Sequence, residues 1–193
     1  MSDAHHESGS VIDLGGVALP PSGETGPVPF EYPFTHDSEV FFRGVLDGII
    51  NTGGMPRLLF IARAGFGNRA GIAALGLARA AAEKKIDVLA VDASFEEPSL
   101  AKPFPYQPDE GLADMILWGS SLQATLRKTQ NERIQVVSTG SPPADPDNIH
   151  LDHDSDSVLN TLREQAELVL VVSDLHSSAG DLSPLVRRSD RTL

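Results

Sequence analysis

Four stretches of this chain are unbroken apolar runs: LLFIA from position 58, VLAVD inside IDVLAVDAS, IQVV inside RIQVVSTG, and LVLVV inside ELVLVVSD. A strand with one wet face alternates apolar and polar residues. An unbroken run is covered on both faces, which is the condition of parallel strands lying between layers of helices. Helical patterns separate the runs: Gly67 to Lys84, then GLADMILWG with a second amphipathic piece, SLQATLRKT, then DSDSVLNTLREQA. One further helix precedes the first strand, over DSEVFFRGVLDGII. Asp37 or Ser38 is placed to cap it, Val40, Phe41, Val45 and Ile49 fall near one face, and the glycines after Asn51 suit its end. The fold predicted is α/β: an open, mostly parallel twisted sheet with flanking helices, built from right-handed βαβ units. Strand one is expected over Arg57 to Ala62, and strand two ends near Asp92.

A chain of 193 residues suits one such domain with tails. Residues 1 to 36 read as a flexible N-terminal arm, because PPSGETGPVPFEYPF fits neither a helix nor a sheet interior. The apolar patch Val11 to Leu19 within it reads as a loose arm or as a docking strand. Residues 37 to 193 form the domain. With 27 acidic against 15 basic side chains the formal charge is −12, which opposes binding to a phosphodiester backbone, so no nucleic-acid partner is expected. There are no cysteines, hence no disulfides or thiolate metal sites. No apolar run reaches the roughly 18 residues of a membrane span, and MSDAHHESGS does not resemble a signal peptide. A cytoplasmic address follows as the expectation.

Between the first strand and its helix stands ARAGFGNRAG, residues 62 to 71. A glycine turn opening a helix offers unpaired N–H groups to an anion, and Gly65 and Gly67 allow close approach of backbone to phosphate. Two loops fit. As G-x-G-x-x-A, Gly65 to Ala70 is a dinucleotide fingerprint with Asp92 as the ribose-binding carboxylate, which would make the chain an NAD(P)-binding Rossmann oxidoreductase. As a phosphate loop it runs from Ala62 to Arg69, with Asn68 and Arg69 where lysine and a hydroxyl are usual. A third reading makes the glycines a tight turn and nothing more.

The succession of later motifs resembles the bacterial tyrosine kinases of exopolysaccharide and capsule synthesis, relatives of the ParA/MinD P-loop ATPases, over about residues 37 to 186. DSEVFFRG is similar to the family's E-x-x-R helix, with Glu39 and Arg43. VDASFEEPSL, residues 91 to 100, resembles VDADLRRPSL, and GLADMILWG resembles a GL-x-D-x-L-x-G segment. IQVVSTGSPPADP looks like the family's strand and G-x-x-P-x-[ND]-P loop. The resemblance implies a P-loop fold, truncated at the C-terminus relative to the family, with ATP or ADP and Mg²⁺ as the cofactors. Gly65, Gly67, Asn68, Arg69, Ala70 and Arg63 then take the nucleotide, and Asp92 is the candidate for catalysis and for the metal. The partners implied are a membrane-anchored polysaccharide chain-length regulator or co-polymerase and other copies of the chain. The protein would then be peripheral at the inner membrane through that partner.

The departures fall on the chemistry. Asn68 and Arg69 remove the charge that neutralises phosphate and the hydroxyl that anchors Mg²⁺. Ser94 replaces the second aspartate of D-x-D, Glu96 and Glu97 replace paired arginines, and Val172 stands at the Walker-B aspartate, two residues before Asp174. The tyrosines are Tyr32 and Tyr106, with none clustered at the C-terminus. Catalysis needs about 8 kcal/mol or more of transition-state stabilisation, which these residues do not assemble. The expectation is a degenerate, non-catalytic member with a regulatory or structural role, with an active tyrosine kinase or ATPase as the alternative. The run from His150 through Asp152, His153, Asp154 and Asp156 reads as the acidic start of a helix rather than a metal site. Trp118 reads as a core or helix-packing residue; as an exposed anchor it would mark a partner surface.

Overall fold

The computed structural model describes residues 34–63, 69–100, 110–141, 153–174 and 183–193. Its helices are α1 (His36–Gly53), α2 (Arg69–Glu83), α3 (Leu112–Trp118), α4 (Leu122–Thr125), α5 (His153–Gln165) and α6 (Ser183–Arg188). Its strands are β1 (Leu58–Arg63), β2 (Val88–Asp92), β3 (Leu126–Lys128), β4 (Ile134–Val137), β5 (Leu168–Asp174) and β6 (Arg191–Thr192). They form one sheet in the order β3-β4-β2-β5-β1-β6. All pairings are parallel except β3 with β4. The open, mostly parallel sheet expected from the apolar runs is therefore the architecture.

The reason the runs are unbroken is visible in their two faces. Leu59, Ile61, Val88, Ala90, Val136, Leu170 and Val172 point to one side, where α1 and α2 supply Leu46, Ile49, Ala74, Leu77 and Ala78. Leu58, Phe60, Leu89, Val91, Val137, Val169 and Val171 point to the other, against α3 and α5. Successive side chains of a strand face opposite ways, so a strand with helices on both sides is apolar at every position.

Several expectations are corrected. Thr35, not Asp37 or Ser38, caps α1, its hydroxyl accepting from the Ser38 amide at 3.3 Å. Of the apolar face expected for α1, Val45 and Ile49 do pack inward, but Val40 and Phe41 do not. Leu46 and Ile49 are buried and Phe42, Val45 and Ile50 pack beside them, the i, i+3, i+4, i+7 set. Val40 and Phe41 are exposed. SLQATLRKT is not one amphipathic helix: a single turn, α4, passes into β3, which lies antiparallel against β4 at the sheet edge. Trp118 is 79% exposed at the end of α3, where Gly119 with φ 70° stops the helix. The last residues add α6 and a short strand, β6, beside β1, neither of which was expected. Asp190 anchors this segment by accepting from the Arg57 and Leu58 amides at 2.7 and 2.9 Å.

The helix layer before β1 is held by more than apolar contact. Glu39 pairs with Arg79 at 2.7 Å, Arg43 with Glu83 at 3.4 Å, and Asp47 with Lys84 at 2.8 Å, all between α1 and the α2 side. Arg79 also lies over the Phe34 ring, 5.3 Å from its centroid. Gly76 lets Phe42 seat directly on α2, since a Cβ there would fall inside the ring. Such half-exposed ion pairs are worth about 0–1 kcal/mol each, so they set the register of the two helices more than they hold them together.

Candidate functional site

In an open α/β sheet the crevice for a ligand lies beyond the carboxyl ends of the strands where the order reverses. Here that place is the end of β1, β5 and β2. β5 returns between the two earlier strands, pairing Arg63 with Asp174 and Asp92 with Val172. In the dinucleotide fold the second strand borders the first, which puts the ribose carboxylate one strand from the glycine turn. In this sheet β5 separates β2 from β1. The Asp92 of a dinucleotide fingerprint is therefore one strand too far.

The candidates from sequence divide by position. Gly65, Gly67 and Asn68 lie outside the described residues. Arg63 is the last residue of β1 and Arg69 the first of α2, and Ala70 is buried in the opening turn of that helix. Of the acidic run, His150 and Asp152 lie outside the described residues, and α5 begins at His153. Among the described residues no group of three or more His, Cys, Asp or Glu side chains is placed to hold a metal ion.

Asp92 closes β2 with 1% exposure. Its Oδ1 accepts from the Ser94 amide at 3.0 Å and its Oδ2 from the Leu100 amide at 2.7 Å. Around it Ser94 Oγ and Ser99 Oγ are 2.9 Å apart, and Ser173 Oγ donates to the Ala93 carbonyl at 3.0 Å. The Ala93 amide donates to the Val172 carbonyl at 2.7 Å. Ser94, Ser99 and Ser173 are all buried. Burial pushes the Asp92 carboxyl up to about 6, with the Leu100 and Ser94 amides pulling the other way. This side chain folds VDASFEEPSL into a loop whose base is buried and whose tip, Glu96 to Pro98, is exposed. Gly71 completes the arrangement, since a Cβ on it would fall onto the Ser99 carbonyl oxygen. The first turn of α2 thus rests directly on the loop's backbone.

A second carboxylate works the same way at the end of β4. Asp114, buried on α3, accepts from the Gly111 and Ser141 amides at 2.8 and 3.1 Å. Leu112 and Ala113 donate their amides to the Ser138 and Thr139 carbonyls. Gly140, at φ 83°, leaves no room for a Cβ beside the Asp114 carboxylate. GLAD and STGS read as separate motifs in the sequence, and neither singles out Asp114. The signal available was the aspartate three residues after Gly111, a spacing that reaches back to a helix's first amide.

No family model matches the chain, and no curated protein matches it. Solved structures do. The kinase domain of the Escherichia coli tyrosine kinase Etk aligns at TM-score 0.71 with 18% identity, over 80% of this chain and 61% of that one. The VpsO kinase domain aligns at TM-score 0.67 with 14% identity, over 80% and 78%. The chimerical protein CapA2B2 aligns at TM-score 0.64 with 20% identity, over 82% and 73%. The chain thus covers less than two thirds of the Etk domain. With its sheet order and its strand-end loops in view, this chain has the fold of the bacterial tyrosine-kinase domains.

Proposed function

We propose that the protein is a non-catalytic, tyrosine-kinase-like chain that acts as a regulatory or structural partner in exopolysaccharide synthesis and export. The observation that carries this reading is the state of Asp92. The one acidic residue left at the metal position by the motif resemblance has both carboxylate oxygens on backbone amides of its own loop. Both electrostatic partners of a phosphoryl transfer are also changed in the sequence, at Asn68 and Arg69. Transfer of phosphate is almost wholly positioning and charge stabilisation, so a site without lysine, hydroxyl and free carboxylate has little to offer the transition state. ADP or ATP, where retained, is a regulatory ligand held by Gly65, Gly67, Asn68, Arg69, Ala70 and Arg63, largely through backbone N–H groups.

The partner in this reading is a membrane-anchored polysaccharide co-polymerase, which places a cytoplasmic chain at the inner membrane. No helix among the described residues is long and apolar enough to cross a membrane. Deleting the coding sequence tests the proposal. The amount or length distribution of the secreted polymer changes and is restored by the wild-type chain; an unaltered polymer contradicts the reading. Calorimetric titration with ADP and ATP, with and without Mg²⁺, then separates the two modes of action. Mg²⁺-dependent heat identifies a nucleotide switch, and none at millimolar nucleotide puts the function in protein contacts alone.

A further inference from the structure

Asp92 touches α2 nowhere in its own hydrogen bonds, yet the loop it shapes is the surface on which α2 begins. The chain of contacts is continuous and buried. Ser94 N and Leu100 N donate to the two oxygens of Asp92, Ser94 Oγ meets Ser99 Oγ, and the Ser99 carbonyl lies against the Cα of Gly71. On the other side Ser173 and Val172 tie Ala93 to β5. We propose that Asp92 is a positioning residue that locks the loop of residues 93–100 to the opening turn of α2, so that the two strand-end segments shift as one body.

Three features argue for one body rather than two neighbours. The hydrogen bonds run between groups with about 1% exposure, where an acceptor lost is not replaced by water. The contact at Gly71 is backbone against helix, with no side chain to give way, so a displacement on one side has to be matched on the other. And the Asp92 carboxylate accepts from an amide eight residues on, closing the loop into a ring that includes Phe95 and Leu100, both buried. The consequence is a conformational relay: whatever shifts the first turn of α2 also moves the exposed tip at Glu96 and Glu97. This inference does not depend on nucleotide binding or on the partner proposed above.

Amide hydrogen exchange on Gly71→Ala, Asp92→Asn and the combined variant tests it. Gly71→Ala should speed exchange at the Ser94 amide, which Gly71 does not touch, and Asp92→Asn should speed exchange at Ala73 to Leu75, the first amides of α2 with intrahelical acceptors, each by about tenfold or more, with β4 unchanged. The unfolding constant of the combined variant should differ from the product of the two single effects by about threefold or more. Should Asp92→Asn fail to fold, Ser94→Ala keeps the carboxylate and both amides that bond it, removes the Ser94 hydroxyl's contacts with Ser99 and Asp92, and should still speed exchange at the same α2 amides. Exchange changes confined to residues that each substitution touches, or single effects that multiply, would overturn the proposal.

Discussion

At the scale of single residues, three aspartates do one job. Asp92, Asp114 and Asp190 each accept two backbone amides and so fix a chain segment, the first two buried and the third at the surface. Asp92 gives the sharpest prediction. Its carboxyl is raised from 3.8 to about 6, so the folded state favours the protonated form more than the unfolded chain does. The stability Asp92 contributes is therefore full below pH 4 and lost as pH rises through about 6. A tenfold change in proton affinity is worth about 1.4 kcal/mol, so the stability of the wild type relative to Asp92→Asn should fall by about 3 kcal/mol between pH 4 and 7. Urea unfolding of both proteins across that range measures it, and a difference that rises with pH would refute the assignment. At Trp118 an exposed ring should be readily quenched by acrylamide, and Trp118→Ala should cost less than about 0.5 kcal/mol. Its exposure could not be read from GLADMILWG, because the glycine that follows ends the helix and leaves the last side chain outside the packed face.

At the scale of elements, the faces of α1 and the seat of α2 carry the predictions. Leu46→Ala, at a site with no exposure, should lose about 2–5 kcal/mol, whereas Phe41→Ala should lose under about 0.5 kcal/mol. Equal losses on thermal or urea unfolding would mean that the helix is turned differently. Gly76→Ala should cost about 1–3 kcal/mol, since the added methyl meets the Phe42 ring and forces it aside. The apolar runs made β1, β2, β4 and β5 legible because both faces of each strand are covered. β3 and β6 were illegible for the converse reason. LRK and RT are edge strands two or three residues long, with charged side chains and no run to detect. The helix cap went to Thr35 rather than to Asp37 or Ser38 because all three types cap well, and sequence alone does not say where the backbone turns.

At the scale of the whole molecule, the sheet has the fold of the tyrosine-kinase domains it aligns with. VDASFEEPSL was the most informative stretch in the sequence, and in the structure it is the loop that Asp92 folds. Spacing exposed the motif, while the burial of the carboxylate and the contact at Gly71 depend on partners far along the chain, beyond any local pattern. Likewise, β5 inserting between β1 and β2 is a long-range pairing that the order of runs does not dictate. In the function proposed for it, this fold works without phosphoryl transfer. The decisive experiment is to incubate the purified chain with Mg·ATP and follow both phosphate release and phosphotyrosine. Neither is expected above the protein-free blank; Mg²⁺-dependent turnover that scales with protein concentration would contradict the proposal.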